Sequence, residues 1–591
     1  MNNRNPYLIT KALKAFLVSS ILAYMSSQLA TTTDAIVVSN LIGPDAISAI
    51  NLVMPIITLF TCMMVLFGIG ATFVAAKAIG RRDDIATNGV FTTGVIASGI
   101  SGVTLSLIIY IFSPSIVAML TGGDIRIYGY ALSYLQTMCV AFPLLMMSGV
   151  VQNFVKTDGN PKLITYAVIA GTVVNLVLDI VFVKFLNMGI AGSAWATVIN
   201  YLVCIFVSLI HFKNPHASLK WSLQLKLMPL YLKQSMGQGL PMSLNALVIG
   251  VCIFCINNIM LSSGGADGIY CWSVCLQVYM IMQMVLSGIG STLNTIGGIL
   301  YGERDIRGLN ILNRKCLVIA VSALAGITAF ILAAPEAFGY LFGSRSDNPI
   351  QILPYALRIF SLLLIPYAIV VLFRSVYQIL GYLPLVLFLS VFQLIIMVLF
   401  VWAFSFIGFR ALWWGFPASG IALLIIMFAY TFYLHTKNRG INPFTLIPSK
   451  DDSESLNISV KMDRDNVESA EKRLVEFLKD QGVDDSTTYQ VRLACEELMN
   501  NIVSYAVAKH PEKHYFDLHI RTSPNEVNVL LKDDGRPFNP VITQEDLKIN
   551  PESENLKLGL KLVNISSDSI NYKYMYGQNM LMLKFTREER K

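Results

Sequence analysis

Charge is scarce through the first three quarters of this chain of 591 residues. Residues 1–440 hold 24 Lys+Arg and 12 Asp+Glu, about 8% against roughly 25% in soluble domains. That excludes a soluble globular fold for the stretch. The scarcity ends at the tail: residues 441–591 hold 20 Lys+Arg and 25 Asp+Glu, about 30%, an ordinary soluble density. Apolar residues make up 54% of the whole and mean hydropathy is +0.59. The net charge of +7 divides into +12 on the apolar part and −5 on the tail, and an acidic tail argues against nucleic acid. Cysteine is sparse: eight of the nine lie in apolar segments. Cys252 and Cys255 form a CxxC inside an apolar run, which reads as small buried residues rather than a redox or zinc site. A GxxxxGK[ST] loop is absent, which excludes a P-loop motor.

What is abundant is the apolar run of the length, about 20 residues, that crosses a bilayer. Such runs lie near 14–40, 49–79, 88–114, 126–153, 162–186, 189–211, 233–261, 269–300, 315–337, 351–377, 384–408 and 411–435. Lys11 and Lys14 before the first imitate a secretory signal, but the run continues past Ala30, so an uncleaved first span is expected. Lys and Arg fall nineteen to five on the side holding the N-terminus, the even-numbered loops and the segment after the last span. The positive-inside rule therefore expects both ends and the tail in the cytoplasm, of an inner membrane. The nineteen include Lys77, Lys156 and Arg374.

The chain also repeats itself. GIGATFVAAKAIGRRD, from Gly68, matches GIGSTLNTIGGILYGERD, from Gly288, and the turn ending at Pro161 matches the one ending at Pro384. Offsets of 220 and 223 residues agree, and six spans per repeat give the halves one orientation. Parallel repeats of this kind build secondary transporters, with the site between the halves. The expected fold class is an α-helical membrane protein of twelve transmembrane helices in a parallel 6+6 repeat, followed by a cytoplasmic α+β layer sandwich. The expected domains are 1–213, 214–436, a linker 437–456 and 457–591.

Two carboxylates lie inside the spans, Asp34 in the first and Asp179 in the fifth. Each sits roughly 10–12 Å from the outer end of its helix, and Thr197 in the sixth span comes to a similar depth. Asn175 and Asp179 share a helix face at i,i+4. The four supply hard oxygen ligands for Na⁺ or a carboxylate pair sharing a proton; the structural alternative is an Asp bonded to a neighbouring Ser or Thr. No carboxylate sits comparably deep in the second half, which places any coupling site in the first.

At these residues the chain resembles the multidrug and toxic compound extrusion (MATE) family. The resembling pieces are TTTDAIVVSNLIGPDAISAINLVMPI, GIGATFVAAKAIGRRD, the NLVLD run and GIAGSAWATVIN, with their second-half counterparts. The resemblance implies an antiporter expelling organic cations or other amphiphiles against Na⁺ or H⁺. It assigns the first-half cation site to Asp34, Asn175, Asp179 and Thr197. The second-half acidic residues of one family branch are missing. Lipid or oligosaccharide flippases share the fold and remain an alternative.

The tail alternates strand and helix signals: strands at LNISVKM, YFDLHIRT, EVNVLLKDDG, INYKYMY and NMLMLKF, and helices at 465–481, 485–509 and near 558–568. Glu497 and Asn501 share a helix face. A carboxylate there can act as a general base, and an amide oxygen one turn on can complete the shell of Mg²⁺ bound to phosphates. Asp533 can accept from an adenine amine, Gly535 permits close approach of the ring, and Gly559 opens a helix whose N-terminus can face phosphate. The order EELMNN, DDGRPF, LGLKLV resembles the histidine-kinase-like (GHKL) ATPase domains, most closely the anti-sigma-factor serine kinases. That resemblance implies ATP and Mg²⁺, a serine-kinase-like activity on a partner, and a regulatory protein of the anti-anti-sigma type. Lys557 stands where the pattern has a glycine, either neutralising phosphate or marking a lost pocket. The reading is thus an efflux antiporter with a regulatory tail. Its alternatives are a flippase or a membrane-tethered serine kinase whose membrane half senses a ligand.

Overall fold

A computed structural model describes residues 5–587 apart from 43, 82, 122–124, 214–216, 337–351, 450–453, 507–513, 538 and 540–560. Side chains at 26–41, 44–48 and some further helical positions lie outside what it describes. Among the described residues twelve helices are long and apolar enough to cross a membrane. They are α1 (Tyr7–Leu41), α2 (Val53–Gly80), α3 (Asp84–Leu120), α4 (Tyr128–Thr157), α5 (Pro161–Phe185), α6 (Gly189–Lys213), α7 (Met228–Gly264), α8 (Val274–Gly302), α9 (Ile306–Ala333), α10 (Leu353–Leu380), α11 (Leu383–Ser405) and α12 (Phe409–Lys437).

Two boundaries differ from the expected ones for physical reasons. Helix α1 begins at Tyr7, because its first two turns pack against the tail rather than lipid, so hydropathy does not mark them. Helical backbone runs without a break from Met228 to Gly302, yet the chain reverses within it. A Cβ on Gly268 would lie 2.7 Å from the Met260 carbonyl oxygen, whereas eight residues of straight helix rise about 12 Å. Antiparallel α7 and α8 result.

The halves meet through glycine. A Cβ on Gly80 would sit 2.3 Å from the Ile299 carbonyl oxygen and 2.9 Å from the Gly302 Cα, and one on Gly302 2.5 Å from the Lys77 carbonyl oxygen. Gly80 and Gly302 hold equivalent places near the ends of the two copies of the repeated motif, so the repeat touches itself backbone to backbone on the tail-bearing side.

The tail is one antiparallel sheet in the order β1-β2-β3-β5-β4, formed by β1 (Ser455–Lys461), β2 (Tyr515–Thr522), β3 (Glu526–Asp533), β4 (Ser569–Met575) and β5 (Gln578–Thr586). Helices α13 (Arg464–Asp480) and α14 (Asp485–Asn501) cover one face. Val467, Leu474, Val491 and Leu498 pack there on Ile458, Leu518, Val529, Leu531 and Leu583. Antiparallel sheets commonly leave the second face wet. This one does not: Leu530, Met575, Tyr576 and Met580 join the core cluster of the membrane helices, with Ile9, Phe16 and Leu300.

Ion pairs seat that face on both halves. Lys532 Nζ lies 2.5 Å from Glu303 of the α8–α9 loop, with both side chains almost fully buried, and Lys573 Nζ 2.5 Å from Asp84 at the start of α3. Glu303 lies in the closing GERD of the second copy of the repeated motif, and Asp84 directly follows the closing GRRD of the first. The N-terminus is held as well: Lys11 Nζ and the Tyr7 hydroxyl donate to Asp534 at 2.7 and 2.8 Å, and Gln578 donates to the Leu8 carbonyl at 2.7 Å.

Candidate functional site

Helix α5 faces lipid on one side and the bundle on the other. Tyr166, Val173 and Val177 are more than half exposed, while Thr165, Gly171, Asn175 and Asp179 form the buried stripe. The polar residues thus occupy the protected face, as the high cost of a polar group in lipid requires. Asp179 is 0% exposed and Asn175 1%. A π-helical turn, Val181–Phe185, begins two residues after Asp179; such turns are frequent at functional positions.

Backbone register brings the four expected residues to within about one helical turn of one another in depth. Thr165 Oγ1 donates to the Ser19 carbonyl at 2.9 Å. Helices α1 and α5 run the same way, so Asp34, fifteen residues on, comes level with Asp179, fourteen residues on. The Asp34 side chain lies outside the described residues. Helix α6 runs antiparallel to α5: a Cβ on Gly171 would meet Asn200 Oδ1. Asn175, one turn beyond Gly171, is therefore level with Thr197, one turn before Asn200. The Thr197 hydroxyl donates to the Ser193 carbonyl at 3.2 Å, which leaves its oxygen lone pairs to accept. The Asn175 amide nitrogen is buried with no hydrogen-bond partner among the described residues.

A second polar site was not foreseen. A cavity of ≈ 220 Å³ lies between the halves, lined by residues of α1, α2 and α4 on one side and α7, α8 and α10 on the other. Lys156 and Arg374 both line it. By sequence position both are loop cations, and the structure corrects that: Lys156 is 7% exposed, and Arg374 lies six residues inside α10. Lys156 Nζ bonds Ser291 Oγ at 2.7 Å and lies over the Phe16 and Tyr24 rings at 5.1 and 5.5 Å. Arg374 donates to Gln393 Oε1 at 3.3 Å, and Gln393 donates to the Tyr367 hydroxyl at 3.1 Å. That hydroxyl lies 2.9 Å from the Tyr279 hydroxyl. Position alone hid these two cations. Lysine near a span end reads as a loop residue, and only the Ser/Asn-rich face of α8, at Ser287, Ser291 and Asn294, hinted at a polar chamber.

In the tail, Glu497 and Asn501 stand one turn apart on α14, beside Leu498 and Met499, which pack on the sheet. Asp533 is two residues past Leu531 and so shares its helix-facing side of β3. Its Oδ1 accepts from Gly535 N at 2.7 Å and Asn579 Nδ2 at 2.8 Å, leaving Oδ2 for another donor. Burial raises the Asp533 carboxyl above its ordinary value, partly offset by those two hydrogen bonds. The Asn501 amide nitrogen is buried without a partner among the described residues, a polar group of the kind a nucleotide or its hydrated ion would satisfy. Among the described residues no three His, Cys, Asp or Glu side chains gather to hold a metal, so a Mg²⁺ here would take most of its ligands from phosphate and water. Lys557 and Gly559 lie outside the described residues.

Residues 19–181 and 241–403, together more than half of the chain, each match MatE. The chain belongs to the MatE family. Its two matched stretches are the two copies of the parallel repeat, and residues 460–585 match the histidine kinase-like ATPase domain. This MatE chain is 23% identical over 244 residues to "Multidrug export protein MepA" of Staphylococcus saprophyticus, covering 41% of this chain and 54% of that one. It is 22% identical over 293 residues to "Probable multidrug resistance protein YoeA" of Bacillus subtilis, covering 48% and 62%. It thus matches a little over half the length of these curated relatives. A MOP superfamily transporter from Pyrococcus furiosus shares the fold at a TM-score of 0.65 and 23% identity, covering 71% of this chain and 94% of that one. An outward-facing multidrug resistance MATE transporter matches equally well in fold.

Proposed function

We propose that this MatE protein is an ion-coupled exporter of amphiphilic compounds in the cytoplasmic membrane, governed by its histidine kinase-like ATPase domain on the cytoplasmic side. Coupling to Na⁺ or H⁺ runs through Asp34, Asn175, Asp179 and Thr197. The observation that carries the reading is the stripe on α5: a carboxylate and an amide at 0% and 1% exposure, on a helix whose other face is exposed, with backbone register bringing position 34 of α1 level with Asp179. A buried carboxylate that trades a proton or Na⁺ between two sides of a membrane performs the work of an antiporter. The tail is a regulator rather than a motor. It touches both halves at equivalent loops, and its residues Glu497, Asn501, Asp533 and Gly535, with Lys557 and Gly559, suit ATP and Mg²⁺. A serine-kinase step on a cytoplasmic partner of the anti-anti-sigma type, with Glu497 as base, is the finer form of this reading.

The test is export in proteoliposomes under an imposed Na⁺ or pH gradient, read with a panel of cationic and anionic fluorescent amphiphiles. Asp34→Asn and Asp179→Asn should each abolish gradient-driven export while leaving the melting temperature near wild type. Wild-type export by both variants would rule out the first-half coupling site.

A further inference from the structure

We infer that the cavity between the halves is an anion site, taking the negatively charged head of an amphiphile — phosphate, sulfonate or carboxylate — between Lys156 and Arg374. This rests on the export reading above and names its substrate class.

Two cations from opposite halves, Lys156 of α4 and Arg374 of α10, line one chamber, and no Asp or Glu is among its described lining residues. Two described carboxylates towards the same side of the molecule are engaged elsewhere. Asp158 lies 2.8 Å from His211 Nε2 and also takes Ser218, and Glu303 holds Lys532. A buried charge without a counter-charge is strongly unfavourable, and a chain keeps it where a ligand supplies the missing sign.

The donors are under-used. Among the described residues the Lys156 ammonium, with three N–H groups, makes one hydrogen bond, and the Arg374 guanidinium, with five, makes one at 3.3 Å. Asn153, Gln283, Ser287 and Thr295 add neutral polar groups around them. Val65, Ile69, Phe73, Met242 and Leu286 supply an apolar wall for the rest of an amphiphile. A cationic guest would meet like charge from both sides. An anionic one is held by a fork and a point charge, the pairing that suits phosphate and carboxylate oxygens. Because the two cations belong to different halves, an anion between them also ties the halves together, and its departure frees them to part.

The experiment uses the full-length protein purified in a neutral detergent, with a matched pair of probes: 1-naphthyl phosphate and 1-naphthyltrimethylammonium. Equilibrium titration should show the phosphate binding roughly tenfold or more tightly than the cation. Lys156→Gln and Arg374→Gln should each weaken the phosphate by a similar factor, while Lys156→Arg should restore most of it. Equal binding of the two probes, or Gln variants that bind the phosphate as wild type does, overturns the proposal. Variants are compared only where their melting temperature and elution volume match the wild type, and Lys156→Arg decides the matter if a Gln variant does not fold.

Two transport arms then distinguish the sources of the anion. Loss in the Gln variants of gradient-driven movement of 1-naphthyl phosphate identifies a dissolved substrate. Loss of flipping of fluorescent phosphatidylglycerol identifies a lipid headgroup. Charge-selective binding with no movement of either leaves the site standing and overturns the export reading instead. Gradient-driven export confined to cations, untouched by the Gln variants, leaves export standing and overturns the anion site.

Discussion

Asn501 and Asp533 are at opposite ends of the same question, whether the tail takes up nucleotide. The first presents a buried amide nitrogen with no partner among the described residues; the second holds one carboxylate oxygen between two donors and turns the other free. Titrating a fluorescent ATP analogue into the full-length protein should therefore give binding that needs Mg²⁺. Asn501→Ala should remove the Mg²⁺ dependence, Asp533→Asn should weaken binding about tenfold, and Glu497→Ala should leave binding nearly intact. Wild-type protein that ignores the analogue at every Mg²⁺ concentration would mark the pocket as lost. Residues such as Asp34 and Asp179 stand out in the sequence because a carboxylate inside an apolar run is costly, whether it carries an ion or bonds a neighbouring Ser or Thr. Lys156 and Arg374 do not, because a cation one or six residues from the end of a span reads as part of the loop.

At the scale of elements, the strands of the tail fell where alternation and turn residues placed them, since β2 and β3 are marked by local sequence alone. The beginning of α1 did not, because its first turns are buried by protein that lies more than 500 residues away in the chain. The α2–α8 contact shows the same dependence on distant partners. Gly302 faces the Lys77 carbonyl at a distance that admits no Cβ, so Gly302→Val must push α2 and α8 apart. It should lower the melting temperature by several degrees and depress export, while Gly326→Ala in α9, with nothing within 4 Å of its new Cβ, should be neutral or slightly stabilising. Equal melting temperatures for the two variants would show that the halves do not rely on this contact.

On the scale of the whole molecule, the sheet of the tail joins both halves through Lys532–Glu303 and Lys573–Asp84. Removing one member of the first, nearly dry pair leaves a buried charge behind, an effect of about 3–5 kcal/mol. Lys532→Ala should therefore release the tail to limited proteolysis in the linker, and Lys532→Met with Glu303→Met should restore protection. If Lys532→Ala is cleaved no faster than wild type, the pair does not hold the tail. Acid should act through a different contact. Burial raises the Asp534 carboxyl, but Lys11, Tyr7 and His514 outweigh it and hold it below its ordinary 3.8. Its contribution to folding and docking is thus full above that value and fades as pH falls through the lower folded one, so proteolytic release by this route should begin only below about pH 4. None of this seating was legible in sequence, where Asp84 and Glu303 are ordinary loop acids and Lys532 an ordinary strand lysine.

The hairpin between β4 and β5 enters the membrane half. The Tyr576 hydroxyl donates to the Thr157 carbonyl at 2.5 Å, next to Lys156, and its ring meets Phe16 edge-on at 5.7 Å, the same Phe16 that lies under the Lys156 ammonium. A short tether holds this tip within reach of its seat at an effective concentration on the order of millimolar. A contact too weak to form between separate dilute proteins is largely formed here whenever its Kd lies below that effective concentration. Copy number therefore cannot tune it, and dilution cannot undo it. Whatever signal the tail receives, nucleotide or partner, must compete with its own covalently supplied occupant, so the threshold for response is written into tether length and hairpin affinity together.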